Sequence, residues 1–258
     1  MALIRFEHVR KSFGRKVVFE DLTLGIDRGE VVTIMGPSGV GKSVMLKMLI
    51  GLVPIDGGAI TFDEKDVAHL SDRELVALRR RVAYLFQGSA LFDSMSVGEN
   101  VAYGLREQFW SKMTLEEIRE RVGRSLELVG LPGTEPMRPS DLSGGMRKRV
   151  GLARAIAVQP EVLLYDEPTT GLDPINTARI NHLINGIKRA LKLTSIVVTH
   201  DMGTAFAVSD RMAMLHRGRV RFCGTKEEVK QSRDTFVRDF IEGRAPEQED
   251  VATLLETH

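Results

Sequence analysis

The sequence predicts an α/β fold: a mostly parallel sheet with helices between its strands, interrupted by a helix-rich middle. Three observations predict it. Residues 31–35, 162–165 and 195–199 are short apolar runs, partly β-branched, as in strands buried on both faces. The segments between them carry helical spacing and N-capping signals. A glycine-rich loop, GPSGVGKS, joins the first of these strands to the helix-like run MLKMLI.

Taken in chain order, that loop is the first informative element. Gly36, Pro37, Ser38, Gly39, Val40, Gly41, Lys42 and Ser43 fit G-x-x-x-x-G-K-[ST], between a strand and a helix as a P-loop requires. Glycines let the backbone turn its N–H groups inward, and the helix N-terminus adds a positive dipole end for a polyphosphate. Lys42 is expected to reach the β and γ phosphates and Ser43 to give its hydroxyl to Mg2+. Ser71 with Glu74, and Thr114 with Glu117, have capping-box spacing. After Thr114, the residues Leu115, Ile118, Val122, Leu126 and Val129 recur three or four apart, which predicts one buried face, ended by Gly130 and Pro132.

LSGGMRKRV follows from Leu142, and its run Arg147, Lys148, Arg149 reads as a solvated or dipole-neutral face at a helix start. VLLYDEP puts Asp166 and Glu167 at a strand exit, where ligands sit in open α/β sheets. Adjacent carboxylates there can divide labour, one holding Mg2+ and the other polarising a water. Asp173 followed by Pro174 is an N-cap with proline at the first helical position, and predicts a helix to about Leu191. His200 ends the last strand run, SIVVTH. Residues 242–258 are acidic and read as a tail in which DVATLLETH could form a short helix.

Composition narrows the function classes. Lys and Arg total 36 against 35 for Asp and Glu, so the global positive field of a nucleic-acid binder is missing and no nucleic-acid partner is expected. Cys223 is the single cysteine, which excludes an intrachain disulfide, and nothing resembles a Cys/His metal box. The N-terminal residues lack a signal-type apolar region and the run 45–55 is too short to span a bilayer, so a soluble or peripheral protein is expected.

GPSGVGKS, Gln87, LSGGM, VLLYDE, GLDP and His200 occur in that order, and from about residue 3 to 243 the chain resembles the ATP-binding cassette (ABC) ATPases. The resemblance implies a P-loop NTPase fold of the ABC ATPase type with a mixed, largely parallel core sheet. It implies a RecA-like core with an N-terminal antiparallel β part over 1–87 and 141–243, an inserted helical subdomain over 88–140, and an acidic tail over 244–258. ATP and Mg2+ are the implied cofactors. Phe13 then matches the aromatic that stacks on adenine, Gln87 the residue linking Mg2+ and the nucleophilic water to the helical subdomain, and Asp166 the Mg2+ partner. Glu167 is implied as general base, His200 as the γ-phosphate switch, and Asp173 as part of the loop crossing to the other subunit. Ser143, Gly144 and Gly145 are implied to face the ATP held by a second copy, which makes a head-to-tail dimer. Met146 departs from the Gln common in this family.

LFQGSALFDSMSVGENVAYGLRE (85–107), with GGMRKRVGLARAI, is similar to the ATPases of Mla/Mce-type lipid transporters, and Val44 after Ser43 points the same way. That branch implies two transmembrane permease copies, an MCE-type substrate-binding protein and, as a further candidate, a small accessory protein. It places the subunit peripherally at the cytoplasmic face of the inner membrane and makes phospholipid the cargo. An importer of small polar solutes is the alternative. A nucleotide-driven clamp on nucleic acid is the remote one, disfavoured by the single cassette and the balanced charge.

Overall fold

The computed structural model describes residues 2–109 and 112–244; the tail and its DVATLLETH segment lie outside the described residues. In chain order the strands are β1 (Ala2–Phe13), β2 (Lys16–Asp27), β3 (Val31–Met35), β4 (Gly57–Phe62), β5 (Lys65–Asp66), β6 (Val82–Leu85), β7 (Val162–Asp166), β8 (Thr194–Val198), β9 (Arg211–His216) and β10 (Arg219–Thr225). The helices are α1 (Lys42–Leu49), α2 (Asp72–Arg81), α3 (Val97–Phe109), α4 (Leu115–Leu128), α5 (Gly144–Ala157), α6 (Pro174–Leu191), α7 (Met202–Val208), α8 (Lys226–Lys230) and α9 (Thr235–Glu242).

These strands form one mixed sheet in the order β5-β4-β1-β2-β10-β9-β3-β8-β7-β6. Pairing from β9 through β3, β8 and β7 to β6 is parallel, while β1 pairs antiparallel with both β2 and β4. Every residue of β3, β7 and β8 is buried, because layers cover both faces. The period of two sorts their side chains. Val32, Ile34, Leu164, Ile196 and Val198 join the core that holds α1, whereas Val31, Leu163, Tyr165 and Val197 join the core under α3 to α6.

Capping fixes where the helices start. The Thr114 hydroxyl accepts from Glu117 N at 3.2 Å and the Glu117 carboxylate from Thr114 N at 2.6 Å. Asp173 accepts from Asn176 N at 2.9 Å, and α6 runs to Leu191, where Lys192 turns left-handed. On α4 the residues Ile118, Val122 and Leu126 are buried as expected, but Leu115 is 67% exposed. It sits in the first turn and lines a groove shared with Ser96 and Ala102.

Candidate functional site

Four adjacent parallel strands end on one edge of the sheet, and each leads directly to a group singled out in the sequence. β3 runs into the glycine-rich loop, β7 ends at Asp166 with Glu167 next, β8 leads through Thr199 to His200, and β6 leads through Phe86 to Gln87. The carboxyl edge of an open α/β sheet exposes turns and helix N-termini rather than strand flanks, so ligands bind there. Ser38, Gly39, Gly41, Lys42, Ser43, Val44, Gln87, Glu167 and His200 together line a cavity of about 360 Å3.

The loop geometry follows from its glycines. Gly41 is the N-cap of α1 with φ +106°, and a Cβ there would overlap Val18 and Phe19, so no side chain fits. With no side-chain cap, the first N–H groups of α1 are left to face the cavity's ligand. Lys42 is 7% exposed, and its ammonium donates to Gly36 O at 2.8 Å and Pro37 O at 3.1 Å. An ammonium has three donors, which leaves one for a phosphate oxygen. Burial pulls the Lys42 pKa down, and the charges of Glu167 and Asp166 oppose that shift.

Both carboxylates are held. Ser43 Oγ donates to Asp166 Oδ1 at 2.7 Å and Tyr84 Oη donates to Asp166 Oδ2 at 2.8 Å. Burial first, then the bond to Asp166, pushes the Tyr84 hydroxyl pKa well up, so it remains a donor at any ordinary pH. Glu167 is 9% exposed; its carboxylate accepts from Thr170 Oγ1 at 3.0 Å and from Thr199 Oγ1 at 3.4 Å, and His200 Nδ1 lies 3.0 Å away. Its backbone is left-handed, φ +51°, and is pinned by the bond from Glu167 N to Val198 O at 2.9 Å. For a non-glycine residue that conformation stores on the order of 1–3 kcal/mol and is typical of functional positions.

Phe13, Ser143, Gly144, Gly145 and Asp173 do not line this cavity. Phe13 is 49% exposed at the end of β1, with Lys11 Nζ 5.1 Å from its ring centroid. Lys11 is in turn fixed by Asp56 at 2.8 Å, and Asp56 also accepts from Ser12 N. Ser143 caps α5 by accepting from Met146 N at 3.2 Å, which leaves its own hydroxyl hydrogen unused in that bond. A Cβ on Gly145 would lie 3.0 Å from Asn176 Oδ1, so the start of α5 abuts the start of α6 and the Asp173 turn. Phe13 apart, the sequence-singled groups thus form two clusters, one around the glycine-rich loop and one where α5 and α6 begin.

One expectation is overturned. Lys148 is not on a solvated face: it is 7% exposed and its ammonium donates to the carbonyl oxygens of Gln87 and Glu167, the latter at 3.2 Å. Its neighbours are also engaged, Arg147 Nη1 with Leu142 O at 2.8 Å and Arg149 Nη1 with Gly130 O at 3.0 Å. Only Lys148 is drawn inward, by the two loop carbonyls it bonds, while Arg147 stays exposed and Arg149 half-buried. Tyr84 is the second group that sequence reasoning missed.

A profile described as ABC transporter matches residues 19–170. The chain is 42% identical to a probable ribonucleotide transport ATP-binding protein, mkl, of Mycobacterium leprae, over 98% of this chain and 74% of the relative. It is 41% identical to the intermembrane phospholipid transport system ATP-binding protein MlaF of Haemophilus influenzae, over 94% of this chain and 91% of the relative. Among solved structures it is similar to the dimeric post-hydrolysis state of the ATP-binding cassette MJ0796 bound to ADP and Pi. The TM-score there is 0.78 with 32% identity, covering 86% of this chain and 98% of that one.

Proposed function

Since the chain belongs to the ABC transporter family, as an ATP-hydrolysing transporter subunit that uses ATP and Mg2+, we propose that it powers phospholipid movement between bacterial membranes through a partner permease. The observation that carries the catalytic part is the convergence of Lys42, Ser43, Gln87, Glu167 and His200 on one cavity, with Asp166 bonded to Ser43 beneath it. Lys42 and the first N–H groups of α1 hold the β and γ phosphates, with Gly36 to Val44 as the cradle. Phe13, whose ring is half exposed, stacks on adenine. Ser43 Oγ, Asp166 and the Gln87 amide oxygen are hard oxygen donors, which suit Mg2+ completed by phosphate and water. A Mg2+ held there would neutralise charge on the phosphate oxygens. Glu167 takes the proton of the attacking water, and His200 orients Glu167 and meets the γ-phosphate.

Ser143, Gly144, Gly145 and Asp173 lie outside the cavity of their own chain, which supports a role toward the nucleotide of a second copy in a head-to-tail dimer. The helices within 88–140 then form the subdomain that follows nucleotide state. No helix among the described residues is long and apolar enough to cross a membrane. The subunit sits peripherally at the cytoplasmic face of the inner membrane, beneath two permease copies, with an MCE-type substrate-binding protein and a small accessory protein as further partners.

Tyr84 bears on the metal. Tyr84→Phe keeps the ring stacked on Phe86 at 4.2 Å but removes the donor that orients Asp166. Outer partners of ligating carboxylates typically contribute 10- to 100-fold, so the Mg2+ concentration for half-maximal ATPase rises about tenfold. A Mg2+ titration of turnover at saturating ATP checks it.

Two relatives pull the cargo assignment in different directions. The stretch 85–107 and the likeness to MlaF favour phospholipid, while the likeness to mkl favours a ribonucleotide, a small polar solute. Purifying the chain with its membrane partners and analysing bound small molecules by mass spectrometry decides between them. Phospholipid with an MCE-type protein is the expected result, and a solute-type permease without lipid overturns it.

A further inference from the structure

Helix α5 is built into the site of its own chain along much of its length. Lys148, within two turns of the Ser143 cap, bonds the carbonyls of Gln87 and Glu167. Further on, Arg154 donates to Ser89 O at 2.7 Å and Ala90 O at 2.8 Å. Between them Gly151 lets the helix approach so closely that a Cβ would lie 3.1 Å from Leu85 Cδ1 and 3.2 Å from Ser89 Cβ. The segments held in this way are strained: Glu167, Ser89 and Ala90 have φ of +51°, +63° and +48°. Left-handed non-glycine residues persist only where their surroundings over-determine them. At Glu167 the Lys148 bond adds to the one from Glu167 N to Val198 O, and at Ser89 and Ala90 the carbonyls are held by Arg154 of the same helix.

Lys148 stands apart because its two bonds go to different loops. One follows β6 and carries the Gln87 side chain; the other follows β7 and carries the Glu167 carboxylate. A buried ammonium is costly unless fully hydrogen-bonded, so these bonds also fix where Nζ can sit. Five residues along a helix span only about 7.5 Å of rigid backbone, so Ser143 and Lys148 move as one body.

We propose that Lys148 is a positioning residue that couples the two nucleotide sites of the head-to-tail dimer proposed above: α5 engages the partner's nucleotide through Ser143 and, through Lys148, sets the main chain of Gln87 and Glu167 in its own site. Nucleotide at one site thereby adjusts the hydrolytic geometry of the other.

Lys148→Met keeps the unbranched stem and removes every donor. At steady state its kcat falls about tenfold, as for outer groups that orient catalytic ones, while KM for ATP stays within about twofold because the phosphate cradle is intact. Lys148→Arg, which retains charge and donors, recovers most of the rate. Lys148→Gln, whose amide can still donate to one carbonyl, falls between, so the comparison stands even if the Met variant does not fold. In a double-mutant cycle with Ser143→Ala, the effects on the logarithm of kcat are non-additive. Near wild-type kcat in the Met and Gln variants, no recovery with Arg, or strict additivity with Ser143→Ala each overturns the coupling role. Failure of the dimer itself is read separately: a Glu167→Gln chain that stays monomeric with ATP overturns the head-to-tail arrangement, whatever Lys148 does.

Discussion

Glu167→Gln lowers ATP turnover about 1,000-fold and leaves ATP bound, so that the closed dimer accumulates. The water oxygen bonds to the γ-phosphorus as the bond from phosphorus to the ADP oxygen breaks, and a proton must leave the water. A carboxylate takes that proton and an amide does not. Glu167 is well placed to accept it, since it lines the cavity, is 9% exposed, and is steadied by the hydroxyl of Thr170 at 3.0 Å and by His200 at 3.0 Å. The amide has nearly the same shape and still offers Thr170 and Thr199 an acceptor oxygen, so the strained backbone at φ +51° keeps its support and the fold survives. Phosphate release measured at saturating ATP, with size-exclusion chromatography of the ATP-loaded variant, checks both halves. Turnover near the wild-type rate removes Glu167 from the role of base.

What is legible in the sequence, and what is not, divides by the range of the interaction. The capping boxes and the Asp173 cap are fixed by neighbours three residues away and start their helices where the sequence puts them. The glycine-rich loop is legible from its own residue pattern, and α1 begins at Lys42, three residues before the run MLKMLI. β3, β7 and β8 are legible because burial on both faces leaves an unbroken apolar run. Tyr84 is hidden by the same rule: inside VAYLF it reads as one more strand residue. Its hydroxyl matters because β6 pairs with β7 and brings Asp166 within reach, a contact 82 positions away in the chain. Lys148 misleads because three consecutive basic residues suggest solvent. A signal does exist, since Gly145, Lys148, Gly151, Leu152 and Ala155 fall three, four and seven apart and all are buried. A charged residue in the buried stripe of a helix needs a partner, and here the partners are carbonyls from two distant loops. The left-handed backbone of Glu167 has no counterpart in the sequence, because glutamate has no preference for it and only the surrounding bonds impose it.

Lys42→Ala acts on the other half of the cycle, and ATP affinity falls about 100-fold. That magnitude follows from the cost of removing one member of a buried charge pair, about 3 kcal/mol here, at about 1.4 kcal/mol per tenfold. The ammonium is 7% exposed and already bonded to Gly36 O and Pro37 O, so its orientation is set before ligand arrives and a phosphate meets a fixed charge. Burial depresses its pKa while Glu167 and Asp166 oppose the shift, so it shares with Lys148 the balancing of both carboxylates and is the one of the two that lines the cavity. Alanine leaves those carboxylates facing an incoming polyphosphate with one positive charge fewer, and repulsion adds to the lost hydrogen bond. Equilibrium binding of a fluorescent ATP analogue checks the loss, and unchanged affinity removes the phosphate-cradle assignment. Set against Glu167→Gln, the contrast separates two functions within one cavity: the lysine variant fails before the nucleotide is held, the glutamate variant only after it. A chain in which both variants lost ATP equally would use Glu167 for binding, and the left-handed strain at that residue would then serve the ground state instead of the attack on phosphorus.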